Sequence, residues 1–194
     1  MACNTTSANV YDEYKNFYDY ILYPIIQTYA KVVANLNINR LGVFATSATI
    51  ESRAYSTEIH KYRKDIDIFE MSCPGWVQIV ENNKQNDELS VELIKENLYR
   101  MMENNPDKII LGCTHYPFLL NVLSKFAPKE LFIEPSYHFA NFIKEDLKQK
   151  NLLNDNETGS ETFLVSANAN EFKQAAKMFY ELPKNPEIIN FATV

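Results

Sequence analysis

Short apolar runs and longer amphipathic patterns alternate along the chain. The runs RLGVFA at 40–45, DKIILG at 107–112 and ELFIEP at 130–135 are continuously apolar, which is typical of strands buried on both faces of a parallel sheet. DYILYPII at 19–26 has the same character, with Pro24 marking an edge or crossing point. We predict a strand for each run.

Three segments between and after these runs repeat their apolar residues at close to the 3.6-residue helical period. They are SVELIKENLYRMMENN at 90–105, HFANFIKEDLKQKNLL at 138–153 and ANEFKQAAKMFYEL at 169–182. The alternation of strands and helices predicts an α/β fold with a parallel sheet. The polar stretches at 82–87 and 154–161 predict surface loops.

Composition and charge narrow the class of protein. With 46% hydrophobic and 23% charged residues, the chain can bury a core. A net charge of -6 argues against nucleic acid as a partner, because phosphate binding depends on clustered Lys and Arg. No apolar run approaches the ~18 residues of a membrane span, and the N-terminus lacks a signal-peptide pattern. We therefore expect a cytoplasmic protein with no membrane partner.

Three widely separated cysteines, Cys3, Cys73 and Cys113, indicate free thiols in a reducing compartment rather than a disulfide framework. They form no CxxC pair, so we expect no zinc site and no other metal.

Two of the cysteines share a local pattern. ACNTTSA around Cys3 and GCTHYPF around Cys113 each place a thiol after a small residue and before hydrogen-bonding side chains and a helix start. Open α/β sheets bind ligands where strands give way to helices. A helix N-terminus favours anions and lowers the pKa of a thiol. We therefore predict two reactive thiols that face one ligand from opposite sides, although each pattern alone is also typical of packing or helix capping.

The combination of motifs is more specific, because it resembles a known family. ACNTTSA, TSATIESRAY and LGCTHYP are similar to three signatures of the glutamate racemases in the aspartate/glutamate racemase family. The resemblance continues through SCPGWVQIVE and, more weakly, FLVSANANEFKQAAKMF. It implies two pseudo-symmetric three-layer αβα domains with parallel sheets. Residues 1–24 and 134–194 would belong to an incomplete first domain and 25–133 to the second.

The resemblance also implies an activity. Family members interconvert L- and D-glutamate without a cofactor, which supplies D-glutamate for peptidoglycan and so serves cell-wall biogenesis and cell shape. Cys3 and Cys113 match the cysteines that exchange the α-proton. His115 matches the acid/base helper of Cys113, and Glu81 falls near an acidic residue that supports that side. No lysine has a pyridoxal-binding context, so no cofactor is expected.

Substrate-binding residues follow from the same resemblance. Asn4, Thr5 and Thr114 match positions that hold the substrate carboxylate and amino group, and Thr46 and Thr49 match threonines of the family's pocket. A carbanion formed without a cofactor needs such preorganised donors.

Other candidate residues receive structural interpretations. Cys73 is expected to be structural and Trp76 to pack beside the cleft. His60, in a polar surface helix, and His138, at the start of another helix, have no partner that suggests catalysis.

The sequence departs from the family at its start. The family's opening segment, with its DSG and PYG motifs, has no counterpart among these residues. We therefore expect that Met1 is an internal residue of a longer reading frame, and that the 194 residues alone have little racemase activity. Sequencing the DNA upstream of Met1 tests the first expectation.

Several alternatives stay open. An aspartate racemase shares the two-cysteine design, but usually has an acidic residue where this chain has His115. A non-catalytic remnant could bind a small carboxylate. A Cys-His hydrolase using Cys113 and His115 is disfavoured, because residues two positions apart are expected to give poor geometry. Family members often dimerise, so a homodimer also stays open.

Overall fold

The computed structural model describes residues 1–154 and 159–190. Contacts between residues divide the chain into two compact units, Met1–Leu152 and Leu153–Val194. The division into domains at residues 24 and 134 remains a prediction.

A parallel sheet forms the centre of the first unit, with the strand order β2-β1-β3-β4. Its strands are β1 (Arg40–Ala45), β2 (Asp67–Ser72), β3 (Lys108–Leu111) and β4 (Phe132–Ile133). The predicted strands at 40–45, 107–112 and 130–135 are confirmed as β1, β3 and the shorter β4. The predicted α/β fold with a parallel sheet is therefore confirmed.

Helices surround this sheet. They are α1 (Asn4–Tyr14), α2 (Ile25–Ala34), α3 (Ser47–Glu51), α4 (Ala54–His60), α5 (Trp76–Glu81), α6 (Glu88–Met102), α7 (Leu120–Leu123) and α8 (Ser136–Gln149). Two short 3-10 helices span Tyr116–Leu119 and Lys129–Leu131. The helices predicted at 90–105 and 138–153 are confirmed as α6 and α8. Each helix begins two residues before its predicted start.

The core has two parts because successive strand residues point to opposite faces of a sheet. Leu41, Val43 and Ile110 pack with α2, α4 and Phe139 of α8 on one face. Residues Phe44, Ile109 and Leu111 pack with α5, α6 and the 116–123 region on the other. Burying each large apolar side chain stabilises the fold by roughly 1.5–3 kcal/mol. The sheet is thus the middle of three layers.

The prediction of a strand at 19–26 is wrong. Residues 19–24 form no strand, and α2 begins at Ile25 with Pro24 as its N-cap. Proline is suited to a helix start because its missing N–H has no intrahelical acceptor there. Ile25, Ile26, Tyr29 and Val33 are all buried, and their spacing is helical. Only the last two residues of the apolar run therefore belong to a helix, and the rest lies in the connection between α1 and α2.

Strand β2 was not predicted. Its sequence DIFEMS contains Asp67 and Glu70, and its residues are only partly buried or exposed. It lies at one end of the strand order and pairs with β1. A strand at a sheet edge need not be continuously apolar, so the criterion that identified β1 and β3 missed it.

The second unit contains β5 (Leu164–Val165), α9 (Ala169–Ala176) and β6 (Glu187–Ile188), and its two strands pair in parallel. The helix predicted at 169–182 is confirmed, but it ends at Ala176. Residues 155–158 of the predicted loop lie outside the described residues. Among the described helices of both units, none has the length and apolarity that crossing a membrane requires.

Candidate active site

Cys3 is the N-cap residue of α1. Its backbone is extended, and its carbonyl accepts the first helical hydrogen bond, from the Ser7 amide at 2.9 Å. Partial burial opposes ionisation of this thiol, but hydrogen bonds from the side chains and amides of Thr6 and Thr5 outweigh it and lower the pKa of Cys3. The lowered pKa expected of a thiol at a helix start is confirmed for Cys3.

Cys113 follows β3 and Gly112, and only 7% of its surface is exposed. Burial raises the pKa of Cys113 and outweighs the hydrogen bonds from the His115 amide and the Thr114 side chain. The lowered pKa predicted for this thiol is therefore wrong. Desolvation penalises the charged thiolate more than a few donors stabilise it.

The two thiols influence one another electrostatically. Besides burial, negative charge on Cys3 raises the pKa of Cys113. Because like charges oppose each other's ionisation, the pair favours one thiolate and one thiol over two thiolates.

Cys113, His115 and Glu81 form a line of polar contacts. The Cys113 Sγ lies 3.8 Å from His115 Nδ1, and His115 Nε2 lies 3.2 Å from a carboxylate oxygen of Glu81. Glu81 ends α5, and His115 directly precedes the 3-10 helix that starts at residue 116. The sequence predicted these three residues as one group, and the fold brings them together. The poor Cys-His geometry expected from their two-residue separation does not prevent this contact.

Three threonine hydroxyls meet on the α1 side of the site. Thr5 Oγ1 lies 2.8 Å from Thr46 Oγ1 and 3.2 Å from Thr49 Oγ1, and the latter two are 3.0 Å apart. Thr46 is the N-cap of α3, and its hydroxyl accepts from the Thr49 amide. The threonines predicted from two separate motifs therefore form one triangle of hydroxyl groups.

A cavity of about 240 Å³ lies beside Cys113. This volume is below the roughly 300–1,000 Å³ typical of sites for drug-sized ligands, so it suits a smaller molecule. Its lining includes Asn4, Cys113 and Thr114, which the sequence predicted, and Glu134 and Ser136, which it did not. The remaining predicted residues are not among its lining residues; they are Cys3, Thr5, Thr46, Thr49, Glu81 and His115.

Sequence reasoning also missed a role for Tyr55. This α4 residue is 1% exposed, and its hydroxyl donates to Asn4 Oδ1 at 2.7 Å. Burial raises the pKa of Tyr55, which keeps the phenol protonated and able to donate. The only sequence signal for this contact is that Tyr55 closes the motif TSATIESRAY.

The remaining candidates have structural surroundings. Cys73 is 2% exposed and burial raises the pKa of its thiol. Trp76 is fully buried between the rings of Phe44 and Tyr116.

His60 and His138 make structural contacts, and no metal centre is found among the described residues. His60 Nε2 contacts the Ile66 carbonyl at 3.0 Å, and the His138 ring lies 5.7 Å from that of Tyr29. Across residues 1–154 and 159–190, no three His, Cys, Asp or Glu side chains group as metal ligands would.

Together, the fold and this site define an α/β protein with two electrostatically coupled thiols and a small, largely apolar cavity that also has polar lining residues. The family model described as Asp/Glu/Hydantoin racemase matches residues 1–135. The chain belongs to this family, which makes it an amino-acid racemase, an isomerase, by class.

Sequence relatives agree with the resemblance to glutamate racemases, which is confirmed. The glutamate racemase of Thermoanaerobacter sp. (strain X514) is 32% identical over 180 residues, covering 92% of this chain and 67% of the relative. The glutamate racemase of Trichodesmium erythraeum is 31% identical over 173 residues, covering 89% of this chain and 64% of the relative. The chain thus spans about two thirds of the length of these relatives.

Solved structures share the fold. Glutamate racemase from Francisella tularensis subsp. tularensis SCHU S4, in complex with D-glutamate, matches with a TM-score of 0.88 and 30% identity, covering 98% of this chain and 72% of that one. A glutamate racemase isoform from Bacillus anthracis matches with a TM-score of 0.90 and 22% identity, covering 98% and 72%, and that likeness concerns the fold alone.

Proposed function

We propose that this protein interconverts L- and D-glutamate by proton transfer between Cys3 and Cys113, without a cofactor. The observation that carries the proposal is the cavity that Cys113 lines together with Asn4, the residue that follows Cys3. The pKa of Cys3 is lowered by hydrogen bonds that overcome partial burial, and the pKa of Cys113 is raised by burial. The resting pair therefore favours a base at Cys3 and an acid at Cys113.

Each turnover exchanges these roles. The Cys3 thiolate takes the α-proton as the Cα–H bond breaks, and the Cys113 thiol delivers its proton to the opposite face of the α-carbon. Cys3 is then a thiol and Cys113 a thiolate, so reaction in the other direction starts from the inverted pair. The contacts from Cys113 through His115 to Glu81 support the thiolate at Cys113 and its return to the thiol.

The polar residues around the thiols would hold the substrate. Asn4 and Thr114 line the cavity with Cys113, and their donors suit the α-carboxylate. Thr5, two positions after Cys3 in the chain, forms the hydroxyl triangle with Thr46 and Thr49, which adds donors on that side. Glutamate is supported as the substrate by the Francisella tularensis relative, whose structure contains D-glutamate.

The cellular role is part of the proposal. The D-glutamate would supply peptidoglycan synthesis, and with it cell-wall biogenesis and cell shape, in the cytoplasm. A homodimer and a low activity of these 194 residues alone remain predictions.

The test is α-proton exchange in D₂O. The purified chain is incubated with L- or D-glutamate, the loss of the α-proton is followed by NMR, and the enantiomer formed is measured separately. We expect formation of the opposite enantiomer to fall by about 10²–10⁴-fold in Cys3→Ala and Cys113→Ala and to persist in the control Cys73→Ala.

Each outcome has a defined meaning. Formation of the opposite enantiomer that survives in Cys113→Ala contradicts the proposed mechanism, whereas exchange without inversion is what Cys3 alone would allow. Faster conversion of aspartate than of glutamate favours an aspartate racemase. Glutamate binding without exchange favours a non-catalytic carboxylate-binding protein. Vigorous exchange by the chain contradicts only the predicted low activity.

A further inference from the structure

Tyr55 and Asn4 form a buried hydrogen bond that links two separate parts of the chain. Tyr55 is 1% exposed on α4, and Asn4 is 3% exposed at the start of α1, 51 positions away. The hydroxyl of Tyr55 donates to Oδ1 of Asn4 at 2.7 Å. A bond this short between shielded groups is strong and directional, because the surroundings have a low dielectric constant.

This contact decides which end of the Asn4 carboxamide is available to a ligand. A carboxamide has an accepting oxygen at one end and two N–H donors at the other. With Oδ1 bound by Tyr55, the Nδ2 donors are left for other partners. Asn4 lines the cavity together with Cys113 and Thr114. A carboxylate there is favoured by N–H donors and repelled by an amide oxygen.

We propose that Tyr55 is a positioning residue, which fixes the carboxamide of Asn4 so that its N–H donors serve the substrate carboxylate. This inference rests on the proposed function and adds a residue to the carboxylate-binding part of the site. Tyr55 acts through Asn4 and is not one of the lining residues of the cavity.

The ring of Tyr55 is held in place by the other half of the site. A Cβ added at Gly112 would lie 2.9 Å from Tyr55 Cε2, so the ring packs directly against the backbone that precedes Cys113. Tyr55 therefore contacts the neighbour of each candidate catalytic cysteine, Asn4 beside Cys3 and Gly112 beside Cys113. Its hydroxyl has a fixed position from which to orient the amide.

The first experiment compares D-glutamate binding by Tyr55→Phe and the unmodified chain, using isothermal titration calorimetry. Tyr55→Phe keeps the ring but removes the donor, so the carboxamide can rotate and present Oδ1 to the ligand. We expect the Kd for D-glutamate to rise at least tenfold. In an active preparation, KM rises in the same proportion and kcat changes less.

Tyr116→Phe is the matched control. Tyr116 is fully buried, and its hydroxyl donates to the Cys73 carbonyl at 3.2 Å rather than to Asn4. Each variant removes one hydroxyl and leaves one buried acceptor without its donor, so we expect similar falls in Tm. Tyr116→Phe should keep the Kd of the unmodified chain. Equal weakening of binding in both variants would overturn the proposal, since general destabilisation then explains the effect.

A double-mutant cycle tests whether Tyr55 acts through Asn4. Asn4→Ala should weaken D-glutamate binding by about as much as Tyr55→Phe, and the double variant should bind no more weakly than Asn4→Ala. A further tenfold loss in the double variant would mean that Tyr55 affects binding by another route, which overturns the proposal.

A ligand-free measurement separates this inference from the proposed function. In ¹H–¹⁵N spectra, the Asn4 side-chain amide should give one sharp pair of signals, which broadens or doubles in Tyr55→Phe but not in Tyr116→Phe. If glutamate does not bind but the Asn4 signals respond in this way, the proposed substrate is wrong and the orienting role of Tyr55 stands. An Asn4 signal pair that Tyr55→Phe leaves unchanged overturns the inference whether or not glutamate binds.

Discussion

The surroundings of Cys3 and Cys113 begin from similar sequence and end with opposite electrostatics. Each cysteine precedes a threonine and the start of a helix. Cys3 is exposed, and donors from Thr5 and Thr6 lower the pKa of its thiol despite partial burial. Cys113 is buried just after the C-terminal end of β3, and burial raises the pKa of its thiol despite donors from His115 and Thr114.

The difference shows that a motif supplies donors, whereas the degree of burial decides the sign of the pKa displacement. Desolvation opposes the thiolate at both positions, and it is outweighed only where the thiol keeps contact with solvent. An asymmetric pair of this kind suits proton exchange, because one member gives up its proton before the other.

The largest expected effect is on the Cys113 side of the site, where His115 contacts the thiol. His115→Gln removes the imidazole that contacts the Cys113 thiol, so we expect glutamate α-proton exchange to fall by about 10²–10⁴-fold. Glu81→Gln keeps the imidazole and should cost less. His60→Gln is the control, because His60 contacts the Ile66 carbonyl instead. Unchanged exchange in His115→Gln would show that Cys113 needs no helper.

A smaller effect concerns thiol reactivity. Because only thiolates react with iodoacetamide, the lowered pKa of Cys3 predicts that its alkylation starts at lower pH than that of Cys113, whose pKa is raised. At pH 7.5 we expect Cys3 to react at least about tenfold faster, with Cys73 slowest because it is more deeply buried. Mass spectrometry of the alkylated peptides between pH 6 and 10 measures all three rates. Faster alkylation of Cys113 than of Cys3 would reverse the comparison.

The smallest effect concerns the hydroxyl triangle on the Cys3 side. Thr46→Val keeps the shape of the side chain but removes the hydroxyl that contacts Thr5 and Thr49, so we expect a loss of about 1–2 kcal/mol in the free energy of unfolding. Urea denaturation measures this loss. Thr57→Val, at an exposed position of α4, should change stability by less than about 0.5 kcal/mol. Equal effects of the two substitutions would show that the triangle contributes nothing to stability.

The local pattern of apolar residues was sufficient to predict the central strands of the sheet but not the edge strand β2. β1 and β3 are buried on both faces, so their apolar runs were recognisable. The edge strand β2 mixes polar and apolar residues because it is only partly buried. The run at 19–26 was misassigned because it joins a connecting segment to the first two residues of a buried helix, and over so few residues a buried helix cannot be told from a buried strand.

The residues of the candidate site also divide into those that the sequence indicated and those that it did not. Local context pointed to Cys3 and Cys113, because each thiol lies at a predicted helix start, and the resemblance to the family pointed to the threonines. Tyr55 and Glu134 had no such context. Tyr55 is recognised by its contact with Asn4, 51 positions away, and Glu134 by its place in the cavity lining, and a single sequence displays neither.

The sequence by itself determined the parallel α/β fold and the two thiols at helix starts, since these depend on local spacing, and it indicated the family through the resemblance of its motifs. Only the tertiary structure decided which thiol is the stronger acid and which end of the Asn4 carboxamide is bound by Tyr55. Both depend on how much water and which distant groups surround an atom. These are properties of the packed chain and not of any segment of it.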